Sequence, residues 1–258
     1  MYNHAIVAQV PMSFSGGISG SWRPSEPRIE PDYELARFQH KQYVNALEMC
    51  GLDVTILDAD EQYPDSVFVE DTAVLTQDCA IICSPRPESR RGEIHRIERH
   101  LRRRYRRIEQ VKHPGTLEGG DVLQLENEFL IAVSQRTNEE GATQLKQILE
   151  GLGHSVSVVD IGDMFHLKCD ISYLGEQHVS VTSTFIGSTW LAGYTQLVVP
   201  RGEEYACNML RINRYVLIPS GYPGTLEVIR NAGFEPIEVE MSEFRKQDGG
   251  LSCLSLRY

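Results

Sequence analysis

The sequence lacks the features that would tie it to a membrane, to a nucleotide or to a metal. None of the apolar runs in its 258 residues approaches the roughly 18 needed to cross a bilayer. The N-terminus, MYNHAIVAQVP, has no basic segment followed by an apolar stretch, so no secretory signal is expected and the chain reads as cytoplasmic. No GxGxxG or GK[ST] pattern occurs, which excludes the common phosphate loops. The six cysteines form no CxxC pair, so a zinc site is not expected. Their scatter along a chain without a leader argues for reduced thiols rather than disulfides. The net charge of −11 and pI near 5.2 disfavour nucleic acid and anionic membrane as partners.

What is present is an ordinary globular composition, 41% hydrophobic and 24% charged. Strand and helix patterns alternate throughout. HAIVAQV, DVTILD, RIEQV, DVLQLE, EFLIAV, SVSVVDIG, CDISYLG, HVSVTST, residues 216–219 and EPIEVE read as strands. SVFVEDTAVLT and CAIICS read as a strand pair, and DVLQLE and EFLIAV as a hairpin around residues 126–128. LSCLSL reads as a closing apolar strand. Helices are predicted over 32–50, 89–104, 138–152 and 222–233. In the first, Leu35, Phe38, Tyr43 and Leu47 mark the apolar face; in the third, Asn138 suits the N-cap. No Pro/Ser-rich linker interrupts the chain, so residues 1–258 read as one α/β domain. The strand–strand–helix–strand rhythm, at roughly 45 to 60 residues, suits radial repetition of small units better than a doubly wound sheet.

One segment runs against the global charge. Residues 86–107 hold ten arginines, partly offset by Glu88, Glu93 and Glu98. A patch for an anionic partner is one reading. The plainer one is a solvated helix face with one or two arginines turned inward, since no aromatic interleaving accompanies the run.

Four segments concentrate groups able to carry chemistry. PDSVFVED (64–71) puts Asp65, Glu70 and Asp71 around an apolar strand, and adjacent acids on a strand cannot share one solvated face. They suit either a cation pocket or a strand end. PGTLEGGDVL (114–123) sets Glu118 before a Gly-Gly pair. MFHLKCD surrounds His166 with apolar neighbours, and QDGGLSCLSL buries Cys253 in an apolar stretch. Singly, each is accounted for as a turn, a satisfied histidine or an inert thiol. Together, a Cys, a His and a Glu on separate strand ends are the parts of an activated-thiol hydrolase, though a triad is defined by geometry.

These segments resemble a specific family. PDSVFVED, SRRGE, PGTLEGGD, RTNEEG, HLK, SYLG, YACN, IPSGYP and EFRKQDGGLSCLSLR follow the order seen in dimethylarginine dimethylaminohydrolases, of the guanidino-group-modifying (amidinotransferase-like) superfamily. The resemblance spans essentially the whole chain. It implies an α/β propeller: five ββαβ modules about a pseudo-fivefold axis, with the site in the central channel. It implies Cys253 as nucleophile, His166 as general acid/base and Glu118 as the acid supporting the histidine. It implies Asp71 with Glu70 as guanidinium ligands, and Asp65, Arg90 and Arg136 as partners of the substrate's α-amino and α-carboxylate ends. Ile18, in SGGISGS, falls where the family has a lid. Gln247 falls where a backbone contact to substrate is expected, at a position more often apolar.

The implied reaction is hydrolysis of dimethyl- or monomethylarginine to citrulline and the amine through a thiouronium on Cys253. It needs no metal or organic cofactor. Sister enzymes acting on arginine generally carry His-x-Asp; this chain has His166-Leu167-Lys168, and a lysine cannot grip a guanidinium. The expected partner is thus a small methylated arginine, with no nucleic acid and no membrane; a homodimer is compatible. An arginine deiminase-like guanidine hydrolase and a non-catalytic arginine-binding module are the alternatives.

Overall fold

The structure, a computed structural model, describes residues 2–18, 29–126 and 128–258. Among these residues the strands are β1 (His4–Ala8), β2 (Asp53–Leu57), β3 (Ala73–Leu75), β4 (Cys79–Ile82), β5 (Arg107–Gln110), β6 (Val122–Gln124), β7 (Glu128–Val133), β8 (Ser155–Asp160), β9 (Ile171–Gly175), β10 (His178–Val181), β11 (Thr195–Val198), β12 (Leu210–Ile212), β13 (Tyr215–Pro219), β14 (Glu235–Val239) and β15 (Leu256–Arg257). They form five three-stranded sheets. Each has one pairing pattern. A short first strand runs antiparallel to the middle strand, and a third strand pairs parallel on its other side. The sheet containing β1 and β2 borrows its antiparallel strand from the other end of the chain, because β15 pairs with β1. The five modules thereby close into the pseudo-fivefold propeller.

A parallel third strand needs a crossover, and helices supply it. They are α1 (Tyr33–Met49), α2 (Ile94–Leu101), α3 (Glu139–Gly151) and α4 (Pro223–Asn231). Asp32 caps α1 by accepting from Leu35 N, and Asn138 caps α3 by accepting from Gly141 N. The module of β9, β10 and β11 instead crosses over with two 3-10 turns, Ser183–Phe185 and Thr189–Leu191. Middle strands are buried on both faces. In β4, Cys79 and Ile81 join the core under α3, while Ala80 and Ile82 join the core under α2. All six cysteines are free. No helix among the described residues is long and apolar enough to cross a membrane.

Several sequence expectations are corrected. Leu35 and Phe38 do not face the core; they are 42% and 58% exposed. The buried stripe of α1 is Ala36, His40, Tyr43, Val44 and Leu47, set by its packing on β1 and β14 rather than by its largest apolar residues. The helix predicted over 89–104 is a 3-10 turn, Glu88–Arg90, followed by the shorter α2, which lets Arg90 turn inward. VFVED is a 3-10 turn over Val69–Thr72, and the strand begins only at Ala73. Cys253 lies in a 3-10 turn, Ser252–Leu254, not in a strand. Its backbone is drawn out of any ladder by Tyr43 Oη, 2.9 Å from Leu251 O, and by Arg257 Nη1, 3.2 Å from Ser252 O. The short β11, β12 and α5 (Ser242–Arg245) carried no periodic signal. Asn127 of the hairpin expected around 126–128, and residues 19–21 of the expected lid, lie outside the described residues.

Candidate active site

The site grows from one recurring piece of backbone. Just before the antiparallel strand of each module the chain makes a 3-10 turn: Val69–Thr72, Gly119–Asp121, Leu167–Cys169, Glu204–Cys207 and Ser252–Leu254. Around the ring, the Ser252–Leu254 turn touches Val69–Thr72, which touches Gly119–Asp121, then Leu167–Cys169, then Glu204–Cys207. Groups on these turns converge although up to 182 residues separate them, as Glu70 and Ser252 are. Glu118 and His166 occupy the same place, the N-cap, in neighbouring turns.

His166 Nε2 lies 2.9 Å from Glu118 Oε2, and both side chains are buried. Behind the ring, Gly120 makes room: a Cβ there would stand 2.5 Å from His166 Nδ1. Burial pushes the imidazole toward neutrality, but Asp71, Asp121 and Glu118 outweigh it and raise the His166 pKa to about 9. Burial also disfavours the Glu118 carboxylate, yet the His166 hydrogen bond and charge, with Arg90 and Arg136, hold it well below the ordinary range. Cys253 opens onto the same pocket. Burial, then Glu70 and Asp71, push its thiol up to about 12, so it rests neutral.

The wall of this pocket is charged on two sides. Asp71 accepts from Arg90 Nη1 at 2.8 Å and from Gly120 N at 3.0 Å. Arg90 is buried and is also held by Glu93 and the Phe68 carbonyl. Arg136 stacks on the Phe165 ring at 4.6 Å, and among the described residues its ion pair, to Glu118, is long at 3.8 Å. Asp65 faces the pocket and accepts from Ile18 N through both oxygens at 3.1 Å. Gln247 lines the pocket and donates to the carbonyls of Phe14 and Ser15, tying down the segment that carries Ile18. Asp71, Glu118 and His166 bring ligand atoms within 4.8 Å of one another, a spacing a metal could use. The Arg90 guanidinium already sits against Asp71 and 3.9 Å from Glu118, so these carboxylates meet a planar organic cation there.

Of the ten residues named from sequence, nine meet at this pocket or, like Glu118, directly behind it. Glu70 does not. It faces the opposite side of the ring, accepting from Lys168 Nζ at 2.7 Å and Ser252 Oγ at 2.6 Å. Lys168 likewise points away from the pocket. Of the arginine run, only Arg90 is buried; Arg96 binds backbone carbonyls of Asp58 and Ser66, and Arg102, Arg103, Arg104, Arg106 and Arg107 are exposed.

Three residues went unnoticed in the sequence. Asp121 is fully buried and accepts from Leu167 N, Ser134 Oγ and Thr137 Oγ1, joining the turns that carry Glu118, His166 and Arg136. Its place after Gly-Gly in an apolar context was the available signal. Phe165 had none; Asn208 ends the YACN motif, but nothing local marked its role, which depends on neighbours distant in sequence.

Comparison with known proteins agrees with this geometry. A family described as "N,N dimethylarginine dimethylhydrolase, eukaryotic" matches residues 23–187. The N(G),N(G)-dimethylarginine dimethylaminohydrolase of Pseudomonas aeruginosa is 41% identical, with all of both chains covered. That of Streptomyces coelicolor is 34% identical over 89% of this chain and 88% of its own. A solved structure of a cysteine-to-serine variant of the Pseudomonas aeruginosa enzyme with citrulline superposes with a TM-score of 0.96 at 40% identity, covering all of both chains. The N-terminal domain of a cyanobacterial arginine dihydrolase shares the fold at a TM-score of 0.85 and 16% identity, covering all of this chain and 97% of its own. With five matching modules and whole-chain identity to named members, the chain belongs to the dimethylarginine dimethylaminohydrolase family.

Proposed function

We propose that the protein hydrolyses Nω,Nω-dimethyl-L-arginine, and the monomethyl form, to L-citrulline and the amine. The observation that carries this reading is the buried His166–Glu118 pair opening onto the same pocket as the Cys253 thiol, beside Asp71. Asp71 and Glu118 hold the substrate guanidinium, Arg136 and Arg90 its carboxylate, and Asp65 its ammonium. Arg136 is the better carboxylate partner, because Arg90 is already bound to Asp71 and Glu93. Ile18 and Gln247 cover the substrate.

The resting thiol is neutral, so the cation itself must activate it. A guanidinium against Asp71 offsets the carboxylates that hold the Cys253 proton, and the thiol gives its proton to solvent as substrate enters. Sulfur then adds to the guanidinium carbon. His166, protonated at neutral pH, gives its proton to the departing amine, and the C–N bond breaks to leave a thiouronium on Cys253. The now neutral His166 takes a proton from water, whose oxygen adds to the same carbon. The C–S bond breaks, the departing thiolate takes the proton of the adduct's hydroxyl, and citrulline leaves with Cys253 again a neutral thiol. The citrulline complex of the Pseudomonas aeruginosa relative supports this product.

A substrate panel with product identification tests the reading. Release of dimethylamine from dimethylarginine, with little ammonia from arginine, is the expected result. Efficient ammonia release from arginine would make it a deiminase instead.

A further inference from the structure

The five turns are not equivalent in chemistry. Four carry Asp71, Glu118, His166 and Cys253. The fifth, Glu204–Cys207, lines none of the pocket; it packs on the histidine turn and closes the ring toward the cysteine loop through two side chains. Tyr205 Oη donates to Gly249 O at 2.7 Å, and Asn208, directly after the turn, reaches the cysteine turn itself. Asn208 Nδ2 donates to Lys168 O and to Ser252 Oγ, both at 3.0 Å. Its Oδ1 accepts from Ser252 N at 2.9 Å. Lys168 lies two residues past His166, and Ser252 lies one before Cys253.

The circuit closes on the other side through Glu70. Ser252 Oγ donates to Glu70 Oε2 at 2.6 Å, and Lys168 Nζ donates to Glu70 Oε1 at 2.7 Å. Asn208, Ser252 and Glu70 are buried. Both Nδ2 hydrogens of Asn208 are used, and its Oδ1 is engaged as an acceptor. The nucleophile loop is shaped around it, since a Cβ on Gly250 would stand 2.4 Å from Asn208 Cγ.

We propose that Asn208 is a positioning residue that, through Ser252 and Lys168 and with Glu70 opposite, sets the placement of the Cys253 sulfur relative to the His166 imidazole. It never touches substrate. Glu70 acts in the same clamp rather than as a guanidinium ligand. Displacing reacting groups by about 1 Å can cost on the order of 100-fold in rate, so a two-sided lock at this seam has a kinetic consequence. The inference rests on the roles assigned above to Cys253 and His166, which Cys253→Ala tests separately by loss of all turnover.

The experiment compares Asn208→Ala, Ser252→Ala and the double variant. Asn208→Ala should lower kcat about 10- to 100-fold while KM and citrulline affinity stay within about threefold. The double variant should lose less than the product of the two singles, because both break the Asn208 Nδ2–Ser252 Oγ bond that joins the two turns. An Asn208→Ala kcat within twofold of wild type, a loss carried by KM, or losses that multiply would each overturn the proposal. Should Asn208→Ala fail to fold, Ser252→Ala decides by the kcat and KM criteria alone, since it breaks the Asn208 Nδ2–Ser252 Oγ link while the Ser252 N bond to Asn208 Oδ1 still holds the turns together. A crystal structure decides independently of turnover: the sulfur–imidazole separation should change by more than about 0.5 Å in Asn208→Ala, and an unchanged separation refutes the clamp.

Discussion

His166 Nε2 stands 2.9 Å from Glu118 Oε2, from the same cap position of the neighbouring turn, with both side chains buried. This pair controls the pH behaviour of the site. The imidazole titrates near 9 in the fold against an ordinary 6.5, so it is the protonated form that the surrounding carboxylates stabilise. Leaving-group protonation needs that form. The kcat/KM profile, which reports the free enzyme, should therefore hold through neutral pH and fall as pH rises through about 9. In Glu118→Gln the raising effect of one carboxylate is lost. The alkaline limb should move to lower pH by about one unit, with kcat down roughly 100-fold or more. A kcat/KM–pH profile with an unmoved limb would contradict this.

The same group links stability to pH. Its folded pKa lies above its unfolded value, so its contribution is complete below about 6.5 and is lost as pH climbs through about 9. Urea midpoints measured across that window should decline for the wild type and decline less for His166→Asn.

Cys253 should be a sluggish nucleophile in the free enzyme. With its thiol held near 12, alkylation by iodoacetamide should be slow at pH 7.5 and rise steadily with pH. A bound guanidinium too small to shield the sulfur should accelerate it. Cys253→Ser should lose at least about 1,000-fold in kcat, because a serine hydroxyl does not ionise under these conditions. Mass spectrometry of quenched reactions should find the adduct on the Cys253 peptide; finding it on Cys207 would relocate the site.

Gly120→Ala should fold yet work poorly. Its methyl group would occupy space 2.5 Å from His166 Nδ1, so the ring must shift away from Glu118. A kcat loss of about 10- to 100-fold with a modest change in melting temperature is expected.

Tyr43→Phe probes the support beneath the nucleophile. The hydroxyl bonds Leu251 O at 2.9 Å and Ser255 Oγ at 2.6 Å, all buried. Removing it leaves the Leu251 carbonyl short of a donor, at a cost of about 1–3 kcal/mol in chemical denaturation.

The order of elements and the reactive residue types were legible because each is local. Caps such as Asp32 and Asn138 act within three residues, and the apolar periods of β1, β7 and α3 need no distant partner. The motifs carrying Asp65, Asp71, Glu118, His166 and Cys253 were legible in the same way, as acids, a histidine and a thiol held in unusual apolar or glycine-rich surroundings. Direction was not. Glu70 and Asp71 are neighbours in sequence, and only the 3-10 turn over Val69–Thr72 sends one into the pocket and the other to Lys168 and Ser252. Leu35 and Phe38 looked like core residues until the docking of α1 on the sheet turned them outward. Asn208 belonged to the YACN motif, but its role was hidden, because its partners lie 40 and 44 residues away. Side-chain chemistry belongs to the residue, whereas orientation depends on which backbone segments the closed ring brings together.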